Sequence, residues 1–143
     1  VIRGIGHIGI AVSCLKDSIE HYRRVLGTDP DETQELPDRG VRLCVFRFGN
    51  TEIELIEPLG TQGESLRRFL DKRGEGIHHV SLDVDDIDSE LDRLSCQGIS
   101  PVGPPRPGAS GTRVAFLQPS RGVLVELAEP GWEERPDLTD TPD

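Results

Sequence analysis

Two histidines and two glutamates recur in this chain at a single spacing. His7 and His79 are 79 − 7 = 72 residues apart, and Glu54 and Glu126 are 126 − 54 = 72 apart. Leu55 and Leu127 keep the same offset, as do Pro58 and Pro130, so "IELIEP" lies over "VELAEP" in the register that lays "HIGIAV" over "HVSLDV". Imidazole nitrogens and carboxylate oxygens together suit a divalent first-row metal ion, with positions left for water or a reacting group. Taken singly, each residue has a plainer reading: a strand histidine is more often structural, and a glutamate in "IELIE" more often faces solvent. Their joint repetition favours function. His7, Glu54, His79 and Glu126 form a candidate metal set, and the two glutamates double as candidate acid–base groups.

The elements that must position them follow from hydrophobic period. "HIGIAV" (7–12) alternates as a half-buried strand does, with Ile8, Ile10 and Val12 on one face and His7, Gly9 and Ala11 on the other. Residues 14–27 carry Leu15, Ile19, Tyr22 and Leu26 at helical spacing before Gly27, a helix stop. Residues 28–40 are polar and turn-rich. "VRLCVFRFG" and "TEIELIEP" read as a hairpin, and 64–74 as a short connecting helix. The order then repeats: "HVSLDV" as a strand, 85–98 as a helix opening on capping acids, a Pro/Gly-dense loop at 100–111, and a hairpin from "TRVAFLQP" and "GVLVELAEP". In every copy the bulky aliphatics share one face and the His or Glu lies on the other. Helices cover the aliphatic face, which leaves the other as the wall of a cleft.

A duplicated unit of one strand, one helix and further strands explains the constant offset. The expected organisation is one α+β domain over residues 1–130, with modules at about 4–66 and 75–130, followed by an acidic tail at 131–143 expected to be disordered. By alternation His78 faces the aliphatic side, so His79 is the ligand of the pair. His21 reads as solvated, Glu52 and Glu57 as surface or rim groups, and Asp85, Asp86 and Asp88 as helix-start charges.

Bulk properties narrow the classes. At 143 residues the chain suits one core, built mainly from Val, Ile and Leu because it has one Trp and one Tyr. A net charge of −10 argues against nucleic-acid or anionic-membrane binding. Cys14, Cys44 and Cys96 form no disulfide framework. With no spanning apolar run and no signal-peptide pattern, a cytoplasmic protein is expected.

At these residues the sequence resembles the vicinal oxygen chelate (glyoxalase/bleomycin resistance/dioxygenase) superfamily. "GEGIHH" followed by "VDDI", with "RPGA" and "GVLVEL", resembles its methylmalonyl-CoA epimerase branch. The similarity runs from about residue 4 to 130. It implies two paired βαβββ modules around a metal-binding cleft, usually in a homodimer. The metal ligands it implies are His7, Glu54, His79 and Glu126. The implied ion is Co2+, with Mn2+, Ni2+ or Zn2+ as substitutes. The implied activity is interconversion of the C2 epimers of an acyl-CoA substrate, methylmalonyl-CoA, by proton removal and return through an enolate whose charge the metal steadies. Leu43 stands where some members carry a glutamate proposed as a base, which shifts attention to Glu54 and Glu126. Gln118 and Ser110 stand where many have His. Arg106 and Arg113 are expected candidates for the CoA end. Two alternatives stay open: a lactoylglutathione lyase-like enzyme on the same four residues, or a metal-free binding protein of the antibiotic-resistance type.

Overall fold

The computed structural model describes residues 1–108, 111–119 and 122–131; Ser110 and residues 132–143 of the expected tail lie outside them. Strands β1 (Ile2–Ala11), β2 (Glu32–Leu36), β3 (Val41–Phe48), β4 (Thr51–Pro58), β5 (Gly76–Val84), β6 (Arg106–Pro107), β7 (Arg113–Phe116) and β8 (Leu124–Glu129) join in one curled sheet in the order β2-β3-β4-β1-β5-β8-β7-β6. Helix α1 (Leu15–Leu26) follows β1, α2 (Glu64–Arg73) links β4 to β5, and α3 (Ile87–Cys96) follows β5. This mixed α+β arrangement is the vicinal oxygen chelate fold.

The sheet order is a palindrome under the 72-residue offset: β4-β3-β2 flank β1 as β8-β7-β6 flank β5. Strands β1 and β5 run antiparallel side by side, and Ile8 lies directly opposite Val80, its own equivalent. A pseudo-two-fold axis therefore passes through that pair. On either side of it His7 faces Ser81 and Gly9 faces His79.

The register slips at Gly6, between the pairs Ile5–Leu82 and His7–Ser81. It slips again at His78, between Gly9–His79 and Ile10–Ile77. These bulges are equivalents under the same offset, since 78 − 6 = 72.

Helix positions follow from the aliphatic faces. The apolar stripe Ile19, Tyr22 and Leu26 of α1 packs over Val12, Cys44, Phe46 and Leu55. Leu91 and Leu94 of α3 pack over Val84, Ala115 and Leu127. Phe46 and Leu55 are fully buried, each worth about 1.5–3 kcal/mol over exposure. Gly27 ends α1 with a left-handed backbone, φ 71°, which a side chain would strain. Asp86 caps α3 by accepting a hydrogen bond from the Ser89 backbone N–H at 3.2 Å.

Three expectations need correction. β2 forms within the stretch expected to be turns: Glu32 to Leu36 alternate in burial and pair with β3. β1 begins at Ile2, five residues before "HIGIAV", because β5 supplies backbone partners out to Val84. Helices were expected on the aliphatic face alone, yet α2 covers one end of the cleft-side face, where Leu66, Phe69 and Leu70 pack on Ala11, Leu43, Val45 and Ile56. Among the described residues, no helix is long and apolar enough to cross a membrane.

Candidate metal centre

Two rows of three residues cross the middle of the sheet. Glu54, Gly9 and His79 are register partners on β4, β1 and β5, and Glu126, Ser81 and His7 on β8, β5 and β1. Each row joins a glutamate of one half to a histidine of the other across a small residue. Strands lie about 4.8 Å apart, so the outer side chains can lean over that small residue and meet. They do. Nε2 of His7 lies 2.9 Å from Nε2 of His79, 3.8 Å from a carboxylate oxygen of Glu54 and 3.7 Å from one of Glu126.

Ligand atoms of His7, Glu54 and His79 all lie within 4.8 Å of one another. Glu126 lies beside this trio, held by the Ser81 hydroxyl, which donates to its Oε1 at 2.9 Å. Glu126 and Ser81 are 2% and 0% exposed.

Gly9 makes the crossing possible. A Cβ built on it would come within 2.6 Å of both Nδ1 and Nε2 of His79, closer than real side chains approach. The His79 ring therefore occupies the space a side chain at position 9 would need. It is further enclosed by edge-to-face contacts with His7, His78 and Phe116, at centroid distances of 5.1, 5.2 and 5.5 Å.

Burial sets the protonation states. It pushes the His79 imidazole down to about 3, with the neighbouring His7 and His78 adding to the effect. Burial lowers His7 too, against the opposing pull of Glu126 and other acids. Both rings are therefore neutral at physiological pH, the form that ligates a metal. Burial raises the Glu54 carboxyl to about 7, with the Arg39 charge holding it back. Burial also raises Glu126, opposed first by His7 and then by the Ser81 hydrogen bond.

The donor set fits a divalent ion. The two imidazole Nε2 atoms converge to 2.9 Å with a carboxylate oxygen of Glu54 within 4.8 Å of both, a mixed N/O donor set that would hold a first-row divalent ion. An adjacent carboxylate supplies negative charge, and an ion there supplies positive charge to oxygens on which a reaction develops negative charge.

His78, expected on the aliphatic side, belongs to the site. The bulge at His78 breaks strict alternation and turns its ring beside that of His79. The two Nδ1 atoms are 2.9 Å apart, and Phe69 of α2 backs the His78 ring edge-to-face at 4.9 Å. With the proton on His79 Nδ1 and His78 accepting it, His79 Nε2 presents a lone pair to the centre.

Other expected positions lie elsewhere. Arg113 is engaged outside the cleft, with Asp88 at 3.0 Å and Glu129 at 3.5 Å. Glu52 pairs with Arg47 at 2.8 Å on the rim, and His21 is exposed.

Two cavities, of about 560 and 470 Å³, meet at the centre. His7 lines the first, His78 and His79 line the second, and Arg39, Glu54 and Glu126 line both. Arg106 lines the second cavity. Arg39 carried no signal in the sequence reading, because it sits in a stretch that reads as turns. Only the fold shows that this stretch borders the cleft.

The eight-stranded palindromic sheet is the arrangement of the glyoxalase/bleomycin resistance protein/dioxygenase superfamily. The family model matches residues 6–116, and the chain belongs to that superfamily. Within it the chain is 39% identical over 134 residues to the ethylmalonyl-CoA/methylmalonyl-CoA epimerase of Cereibacter sphaeroides, covering 90% of this chain and 99% of that one. Methylmalonyl-CoA epimerase from Mycobacterium tuberculosis superposes with a TM-score of 0.83 at 35% identity, over 92% of this chain and 91% of the other. A substituted Streptomyces coelicolor methylmalonyl-CoA epimerase in complex with 2-nitronate-propionyl-CoA gives a TM-score of 0.86 at 31% identity, over 95% and 100%.

Proposed function

We infer that this chain is an isomerase that interconverts the C2 epimers of methylmalonyl-CoA. The observation that carries the reading is similarity to methylmalonyl-CoA epimerases over nine-tenths of the chain.

The chemistry is consistent with that assignment. The C2 proton lies between a thioester carbonyl and a carboxylate, so its removal yields an enolate with negative charge on oxygen. Positive charge at that oxygen lowers the barrier. Epimerisation needs one group to take the proton from one side and another to return it from the other. Glu54 and Glu126 come from opposite halves of a pseudo-symmetric cleft and serve as this pair. Burial raises the Glu54 carboxyl to about 7 in the metal-free protein, and a divalent ion at the centre would favour its ionised form, the form that takes a proton. Ser81 steers Oε1 of Glu126 and leaves its other oxygen for the substrate. Leu43, where a third acid is carried by some members, clusters with Ala11 and Ile56 and borders the first cavity with a side chain that has no acid–base group.

The finer assignments belong to the same proposal. His7, Glu54, His79 and Glu126 hold the ion, and Co2+ is the ion they favour, with Mn2+, Ni2+ or Zn2+ able to replace it. Residues 4–66 and 75–130 are the two modules of a single domain. The protein works in the cytoplasm as a homodimer.

The test is C2 proton exchange. Methylmalonyl-CoA incubated with the protein in heavy water is expected to lose its C2–H signal. Chelation should stop the exchange, and added Co2+ should restore it. A metal-replete protein that leaves the C2 proton in place overturns the assignment.

A further inference from the structure

The first cavity is lined by five acids, Glu32, Glu52, Glu54, Asp83 and Glu126. Arg47 and a divalent ion at the centre would offset only part of that charge, so an acyl-CoA with a free carboxylate would still meet net negative charge there unless a further cation is reserved for it. Two arginines line this cavity. Arg47 is committed, with its guanidinium 2.8 Å from Glu52 and 3.1 Å from Glu32. Arg39 makes no hydrogen bond or ion pair among the described residues, and it alone of the lining cations borders both cavities.

The backbone fixes its position. Arg39 closes the turn Pro37–Arg39, and Gly40 follows with φ 69°. A Cβ on Gly40 would overlap the Gln62 backbone, and Leu59 N–H donates to Gly40 O at 2.7 Å. Two loops are thus locked together beneath Arg39. Glu54 and Glu126, which also border both cavities, must reach C2 of the substrate, and the acyl carboxylate is bonded to C2. The carboxylate therefore lies at the same junction.

We propose that Arg39 pairs with the free carboxylate of the acyl group, so that the site selects 2-carboxyacyl thioesters over neutral acyl thioesters of the same carrier. Guanidinium and carboxylate match as a two-pronged, charge-assisted pair. This inference rests on the methylmalonyl-CoA reading.

The test measures dissociation constants for methylmalonyl-CoA and propionyl-CoA on metal-loaded wild type, Arg39→Gln and Arg39→Lys, with metal content and thermal stability followed in parallel. Arg39→Gln is expected to weaken methylmalonyl-CoA roughly 10- to 100-fold, leave propionyl-CoA unchanged and keep its metal. Arg39→Lys should recover part of the preference, which a merely structural role would not do. Equal weakening of both thioesters would place Arg39 on the carrier's phosphates and overturn the proposal, as would an unchanged preference in both variants. Wild type that exchanges no C2 proton sinks the functional reading itself; wild type that exchanges it while Arg39 proves indifferent sinks only this inference.

Discussion

Replacing Gly9 with alanine tests whether the histidine is positioned as described. The added methyl would sit 2.6 Å from two ring atoms of His79, and ordinary contact starts at 3.4 Å. Cε1 of the ring lies nearer still, so the ring must retreat by more than about 0.8 Å, or the strands must part. Ligand bonds tolerate about 0.2 Å and a working site about 0.5 Å, so the displacement exceeds both. His79 has nowhere equivalent to go, since His7, His78 and Phe116 enclose it. Overpacking of this kind costs about 1–3 kcal/mol, a loss a folded domain commonly survives. The expected variant is folded, somewhat less stable and weakened for metal by about 100-fold or more, the upper end of the effect of disturbing a ligand's support. Calorimetric titration with Co2+ into metal-free protein reads the affinity, and urea denaturation reads the fold. Gly76→Ala is the control, because a methyl there meets nothing within 4 Å. Wild-type affinity in folded Gly9→Ala protein would refute the reasoning, since the ring cannot both remain in place and admit the methyl.

Three further outcomes follow from the same geometry. His78→Ala is expected to lower metal affinity about 10- to 100-fold with little change in fold, and His78→Asn, which keeps an acceptor, to recover part of it; both are read by the same titration. Ser81→Ala leaves a buried carboxylate oxygen of Glu126 without its 2.9 Å donor and should cost about 1–3 kcal/mol by denaturant unfolding, with no loss if the hydroxyl is idle. Glu54 holds its proton more tightly folded than unfolded, so the metal-free protein should lose stability as pH rises from about 4.5 to about 7. The loss is of the order of 3 kcal/mol. Glu54→Gln should flatten that segment of the pH–stability curve, and an unchanged slope would mean the carboxyl is not buried as described.

How far the sequence could go depends on which interactions are local. The 72-residue offset and the strand alternation identified the His/Glu set and the aliphatic faces, because period and repeat are written in consecutive residues. His78 escaped, since a bulge cancels alternation at one residue and nothing in "GIHHV" announces it. Under the repeat, His78 is the equivalent of Gly6, which is also a bulged position. The bulge at His78 carries a ring that meets His79 at 2.9 Å, and the bulge at Gly6 carries no side chain. Duplication preserved the backbone irregularity while the two halves diverged in its use. Gly9 and Ser81 diverged in the same way: one clears space for His79 and the other holds Glu126. Arg39 and α2 were illegible for a different reason, as their place at the cleft depends on how β2, β3 and the segment after β4 pack together. The pseudo-symmetric residues were therefore readable from the repeat, whereas the asymmetric ones needed the fold. An epimerase must take a proton on one side and deliver it on the other, so its specificity is expected to reside in those asymmetric residues.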